Sequence, residues 1–343
     1  MQPTKSIAAR IPSCWGMDEA ELQRLVDEQK SQKVVLNTII ERITGAKAKA
    51  PPRYRPGRVK RRDMETLERK EAEGRDANHQ WSLCKPCQPP IEVSFDRKKE
   101  ESVANLPDGA ENLLSAHGKL TRSEYLETKK NHQATWFIER MKLFDVPPTQ
   151  ILDVGGGRGD LAVQIAIKFP EAYVIVVDSN ESSVLAGKEF AAKCNVEDQI
   201  EFCCMDFSEY AQKYEAEGEN NVDFVVALHA CGDLSDMALS FASSHHCKFI
   251  ICPCCYPKRY LAPFVPHWHG LCSDENEIDT LSRLVELDDH REISRRAMIV
   301  VNSMRQSAFL GDETVVLEEF EDKISKRNIA LVGDGLVEEV TTN

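Results

Sequence analysis

The residues best equipped for chemistry lie in Ile151–Asp160, which reads ILDVGGGRGD. Ile151, Leu152 and Val154 form a short apolar run suited to a buried parallel strand, and a helical apolar pattern (Leu161, Val163, Ile165, Ala166) follows the glycines. A strand, a glycine turn and a helix start let backbone press against a bound ligand. The next apolar run, YVIVVD, ends on Asp178. A carboxylate there can accept hydrogen bonds from two ribose hydroxyls. Spacing separates two nucleotide chemistries. A dinucleotide fingerprint counted from Gly155 needs its third small residue where Asp160 stands. The run present is Asp153-x-Gly155-x-Gly157-x-Gly159. A NAD-type doubly wound domain is the competing reading.

That run, with the acid at Asp178, resembles motif I of the class I S-adenosylmethionine (SAM) methyltransferases. Two further stretches, LHACGD at 228–233 and CCYPK at 254–258, are similar to those of one subgroup. It includes the tRNA ribose 2′-O-methyltransferases of the acceptor stem, the glutathione S-transferase C-terminal-domain-containing proteins and related methyltransferase-like proteins. The resemblance covers about residues 121–335. It implies an α/β, doubly wound, Rossmann-like fold with a mostly parallel seven-stranded sheet and a terminal β-hairpin. It also implies SAM as cofactor and RNA as methyl acceptor. The tRNA enzymes carry N-terminal Cys/His zinc modules. Only Cys84 and Cys87 resemble those here, without matching histidines, which places the less characterised members nearer.

In an open parallel sheet the ligand sits beyond the C-terminal strand ends. That rule selects Asp153, Gly155, Gly157, Gly159, Asp178, Ser179 and Leu228 as cofactor-binding positions. By resemblance, Asp206 accepts from the adenine amino group, and Phe207 or Met205 packs its face. Lys129, Lys130 and Gln133, on a helix directly ahead of the turn, are placed to reach a carboxylate above the sheet, or form a solvated face. Methyl transfer needs the acceptor held in line with the methyl group. A hydroxyl acceptor gains further from a base or cation beside its oxygen. His229, Asp233 and Lys258 are the candidates. His229 reads equally as a structural histidine, and Asp233 equally as a helix cap. Tyr256 either stacks on a planar acceptor or packs.

The chain has 343 residues, 42% hydrophobic, with twelve cysteines and a net charge of −13. That charge argues against general nucleic-acid coating. The average conceals nine basic residues and no acid between Arg42 and Arg62, which leaves −22 for the rest. Pro51, Pro52, Pro56 and Gly57 make this run an extended arm. It reads as a grip on a phosphate backbone, a nuclear import signal or a solvated linker. No apolar run approaches a membrane span, and MQPTKSIAARIPSCWG lacks an apolar leader. A cytoplasmic or nuclear protein is expected, although the absence of acids before Asp18 leaves an organelle-targeting reading open. The cysteines read as reduced thiols, with no metal site expected. Cys84-x-x-Cys87 is half a zinc spacing in a Pro-rich loop, and the Cys and His residues at 245–272 read as thiols lining a substrate mouth. Pro253-Cys254 is similar to the nucleophilic Pro-Cys pair of carbon-5 pyrimidine methyltransferases, whose neighbouring residues do not match.

These positions need elements to hold them. Residues 18–44 read as an amphipathic helix for the main domain or a protein partner, and 63–75 as a charged run, helical at most. A helix is expected over 121–144, stopped by Pro147 and Pro148. From 151, strands (151–154, 173–177, 199–203, 222–228, 247–253) alternate with helices (160–169, 181–194, 208–216, 234–243). One or two helices over 277–308, broken near 288–290, and strands at 314–320 and 328–333 close the chain. The alternation calls for a parallel sheet covered on both faces. Residues 1–120 are read as an N-terminal extension and 121–343 as the methyltransferase domain. A small-molecule or protein acceptor, or a SAM-binding scaffold without catalysis, are the alternative functions.

Overall fold

The computed structural model describes residues 59–79, 81–84, 86, 130–218, 221–228, 230–231, 233–254, 256, 275–287, 289–310, 315–322 and 324–334. The helix expected over 18–44, the basic run ahead of Val59, Cys87, Lys129, His229, Cys255, Lys258, His267, His269 and Cys272 lie outside the described residues. So does the start of the helix expected from Thr121.

In chain order the elements are α1 (Arg61–Glu73), α2 (Asn131–Met141), β1 (Gln150–Val154), α3 (Asp160–Lys168), β2 (Tyr173–Asp178), α4 (Glu181–Lys193) and β3 (Ile200–Cys204). Then follow α5 (Phe207–Glu217), β4 (Phe224–Ala227), α6 (Leu234–Ser244), β5 (Lys248–Ile251), α7 (Glu275–Val285), α8 (Arg291–Leu310), β6 (Val315–Glu319) and β7 (Ile329–Gly333). One seven-stranded sheet runs in the order β3-β2-β1-β4-β5-β7-β6. β1 to β5 pair in parallel, and β7 is antiparallel to both β5 and β6. This is the expected fold class. The 277–308 region is two helices.

Side-chain alternation along the strands builds two cores. Leu152, Val154, Ile175, Val177, Val225, Ala227, Phe249 and Ile251 face α5, α6 and α8. Ile151, Val174, Val176, Phe224, Val226 and Ile250 face α2, α3 and α4. β1, β2, β4 and β5 are therefore apolar on both sides, which explains their continuous apolar runs. Burying each such side chain contributes about 1.5–3 kcal/mol. Local signals set the ends. Asn180 caps α4 by accepting from the Ser183 amide at 3.1 Å, and Asp206 caps α5 through the Ser208 amide at 2.8 Å.

α1 lies in the stretch that the sequence assigns to the N-terminal extension, and it is docked on α7 and α8. Leu67 and the nearby Trp81 are buried in the first core. Asp63 takes a two-pronged bond from Arg283 at 2.8 and 3.0 Å, and Glu71 one from Arg296 at 2.7 and 2.8 Å. The buried Lys70 ammonium lies 3.0 Å from Glu277. Gly74 carries no side chain because the Trp81 ring occupies that space: a Cβ there would stand 2.5 Å from it.

Candidate functional site

Between β1 and β4 the strand order changes direction, which opens a crevice beyond their C-terminal ends. The glycine turn lies there. Gly155 has φ +69° and donates its N–H to the Val177 carbonyl at 2.8 Å. A Cβ at this position would also stand 2.8 Å from Leu234, the first residue of α6. Gly157 has φ +58°, and its N–H donates to Asp178 Oδ2 at 3.0 Å. The left-handed backbone at both positions favours glycine.

Asp178 ends β2 half-buried, and its Oδ1 accepts from the Asn180 amide at 2.8 Å. The two backbone bonds orient the carboxylate. A carboxylate has about four acceptor sites, so each oxygen keeps a lone pair for a ribose hydroxyl. Ser179 beside it is exposed.

Asp153 lies under the turn. It is 1% exposed, and its Oδ2 is buried without a hydrogen-bond partner. A Cβ on Gly156 would stand 2.4 Å from that oxygen. Burial pushes the Asp153 carboxyl up to about 7, against the lowering influence of Lys130, with Asp178 and Asp160 adding to the rise. Asp178 and Asp160 therefore act on Asp153 around the turn, and Lys130 acts against them. A pyrophosphate would meet like charge here. A ligand with a sulfonium and an ammonium group would meet opposite charge. The orphaned Asp153 oxygen and the oriented Asp178 carboxylate fit SAM on those grounds.

The structure brings other expected residues to the same end of the sheet. Asp206 is exposed at the end of β3, its carboxyl held below the usual range by the hydrogen bonds from Ser208. Asp233, before α6, makes no side-chain cap bond. Burial raises its carboxyl pKa, and the charge of Asp206 raises it further. Leu228 is buried directly after β4. Gln133 is buried on α2, the helix tied to α3 by the Gln164 amide donating to Asn131 Oδ1 at 3.2 Å.

Two of the expected contacts are buried in the first core. Phe207 is buried in the first core, its ring 6.2 Å from Tyr210 and 5.8 Å from Phe241. Met205 is half-buried beside it. Tyr256 is wholly buried. Its hydroxyl accepts from the Asn302 amide at 3.1 Å, and the Arg305 guanidinium lies 5.0 Å from its ring centre. Arg305 in turn bonds Asp236 at 2.7 Å, both fully buried. This network under the β5 loop was not visible in the sequence, since its members sit about 50–70 residues apart in helices of ordinary composition.

Among the described residues no group of three or more His, Cys, Asp or Glu side chains could hold a metal ion. The described Cys84 thiol donates to Gln306 Oε1 at 2.8 Å. No helix among the described residues is long and apolar enough to cross a membrane.

Residues 129–259 match a family model described as a methyltransferase domain. A glutathione S-transferase C-terminal domain-containing protein homolog from Drosophila melanogaster is 23% identical over 186 residues, 52% of this chain and 29% of that protein. The Bos taurus glutathione S-transferase C-terminal domain-containing protein is 29% identical over 110 residues, 32% of this chain and 16% of that one. The chain thus spans less than a third of the length of these curated relatives. Among solved structures, a putative caffeoyl-CoA O-methyltransferase from Staphylococcus aureus covers 70% of this chain and 90% of its own, at 14% identity and a TM-score of 0.37. An RNA methyltransferase from Salinibacter ruber in complex with S-adenosyl-L-homocysteine covers 34% and 72%, at 13% identity and a TM-score of 0.29.

Proposed function

We propose that this chain is a SAM-dependent methyltransferase, on the match of residues 129–259 to a methyltransferase-domain model, and that its acceptor is RNA, methylated at a ribose hydroxyl. The observation that carries this reading is the charge pattern. Nine basic residues without an acid run from Arg42 to Arg62, in a chain of net charge −13. The run ends in the first turn of α1, where Lys60, Arg61 and Arg62 are exposed. The next residue, Asp63, is anchored to Arg283. A basic segment can hold a phosphate backbone while the sheet ends hold the reacting group. The LHACGD and CCYPK stretches support the same reading by resemblance.

SAM supplies a methyl group already activated by its sulfonium. The chain's own part is to orient and to remove a proton. In this reading Asp178 fixes the ribose of the cofactor, and Asp153 and Asp160 supply negative charge beneath its cationic end. Asp233, whose pKa is raised by burial, accepts the proton of the acceptor hydroxyl. His229 and Lys258 are the further candidates at that oxygen. Tyr256 is held in place by Asn302 and Arg305. The enzyme is proposed to work in the cytoplasm or nucleus, with a protein partner proposed for the 18–44 segment.

The test is incubation of the purified chain with methyl-labelled SAM and separated RNA, protein and metabolite fractions of cells. Label in ribose 2′-O-methyl nucleosides is the expected result. Label confined to the protein or metabolite fraction would replace RNA with that acceptor class. SAM binding without label in any fraction would make the chain a non-catalytic scaffold.

A further inference from the structure

The β4 and β5 loops meet through two cysteines. Cys231 stands four residues past the end of β4, and Cys254 three past the end of β5. Their sulfur atoms are 2.8 Å apart. The strand ends hold this meeting in place, since the Cys252 amide donates to the Ala227 carbonyl at 2.8 Å. Cys231 is exposed and Cys254 partly so. Three other described cysteines are less suited to oxidation. Burial pushes the Cys247 and Cys252 thiols up to about 12, and burial with Glu201 nearby pushes Cys203 up to about 11. A thiolate is the nucleophile toward an oxidant, so these stay unreactive.

We propose that Cys231 and Cys254 form an oxidisable dithiol that joins the chain just past β4 to the chain just past β5. The oxidant is a hydroperoxide. One thiolate attacks the peroxide oxygen, the O–O bond breaks, and an alcohol or water leaves. The resulting sulfenic acid is attacked by the second thiolate. The S–S bond forms, the S–O bond breaks, and water leaves with the second thiol's proton. The two sulfurs lose two electrons, which the peroxide gains. A dithiol reductant reverses the step. Cys231 lies two residues before Asp233, and Cys254 two before Tyr256. The staple therefore restrains the chain beside Asp233 and Tyr256, and its effect on transfer rests on the methyltransferase reading. It leaves the glycine turn and Asp178 untouched.

The full chain is reduced, freed of reductant, exposed to hydrogen peroxide, blocked with an alkylating agent and digested without reduction. A peptide pair joining Cys231 to Cys254 is expected, lost in both Cys231→Ser and Cys254→Ser and kept in Cys255→Ser. Thermal melting of the reduced variants checks that each is folded. Both cysteines recovered as sulfinic acids, or a cross-link that survives in Cys254→Ser, would overturn the site. Methyl transfer by the oxidised chain is expected to fall at least about tenfold and to return with a dithiol, with SAM affinity changed less than about threefold. Unchanged transfer in a fully cross-linked sample would overturn the restraint. The mapping needs no methyl transfer, so the site and the enzymatic reading fail separately.

Discussion

Asp153 sets two opposed pH dependences. Its carboxyl sits at about 7 in the folded chain and near the ordinary 3.8 when unfolded, because burial disfavours its charge. A raised acid stabilises the fold fully below the unfolded value, and this contribution is lost as pH rises through 7. The ligand-free chain is expected to melt at progressively lower temperature from pH 5 to pH 8, with Asp153→Asn flattening that trend. Affinity for the cationic cofactor runs the other way and is expected to rise about tenfold from pH 6 to pH 8 as the carboxylate forms. Calorimetric titrations across that range check it. At Asp178, the loss of two oriented acceptors predicts about 100-fold weaker SAM binding in Asp178→Ala, with little change in folding. These positions were legible in the sequence because a strand, a turn and the next strand's end lie within 28 residues. Tyr256 was not. Whether it stacks on an acceptor or packs depends on Asn302 and Arg305, helical residues more than 40 positions away.

Among the elements, the sheet and the helices around it followed from the alternation of short apolar runs with helical patterns, because the central strands are buried on both faces. The docking of α1 did not. Its sequence, RRDMETLERKEAE, reads as charged throughout, and only Leu67 is a fully buried apolar residue. Arginines on α7 and α8 meet its acids, and no local pattern announces such pairs. Leu67→Ala is expected to cost about 2–5 kcal/mol in urea denaturation, since the space it fills is closed by Trp81 and the first core. The Arg305–Asp236 pair ties α8 to α6 beneath Tyr256. Asp236 keeps a raised pKa despite its partner, so burial outweighs the attraction. Removing one member strands the other charge. Arg305→Met should destabilise by about 3–5 kcal/mol, and Arg305→Met with Asp236→Leu should recover most of it. An unchanged urea midpoint in Arg305→Met would show that the pair holds nothing in place.

Over the whole molecule, charge is divided between a basic run at 42–62 and a body of −22. Direct binding of RNA is expected to weaken steeply with salt. Replacing Arg53, Arg55, Arg58 and Lys60 by glutamine should lower the log–log salt slope by up to about 3, at about 0.7 per phosphate contact. SAM affinity should not move. In the proposed function Asp153, Asp160 and Asp178 favour a cationic ligand at the turn, and the cofactor half of the account depends on that preference. Isothermal titration of the ligand-free chain with SAM and, separately, with NAD tests it most directly. Saturable one-site binding of SAM, lost in Asp178→Ala, with no heat from NAD, is the predicted result. Saturable heat from NAD and none from SAM would contradict it.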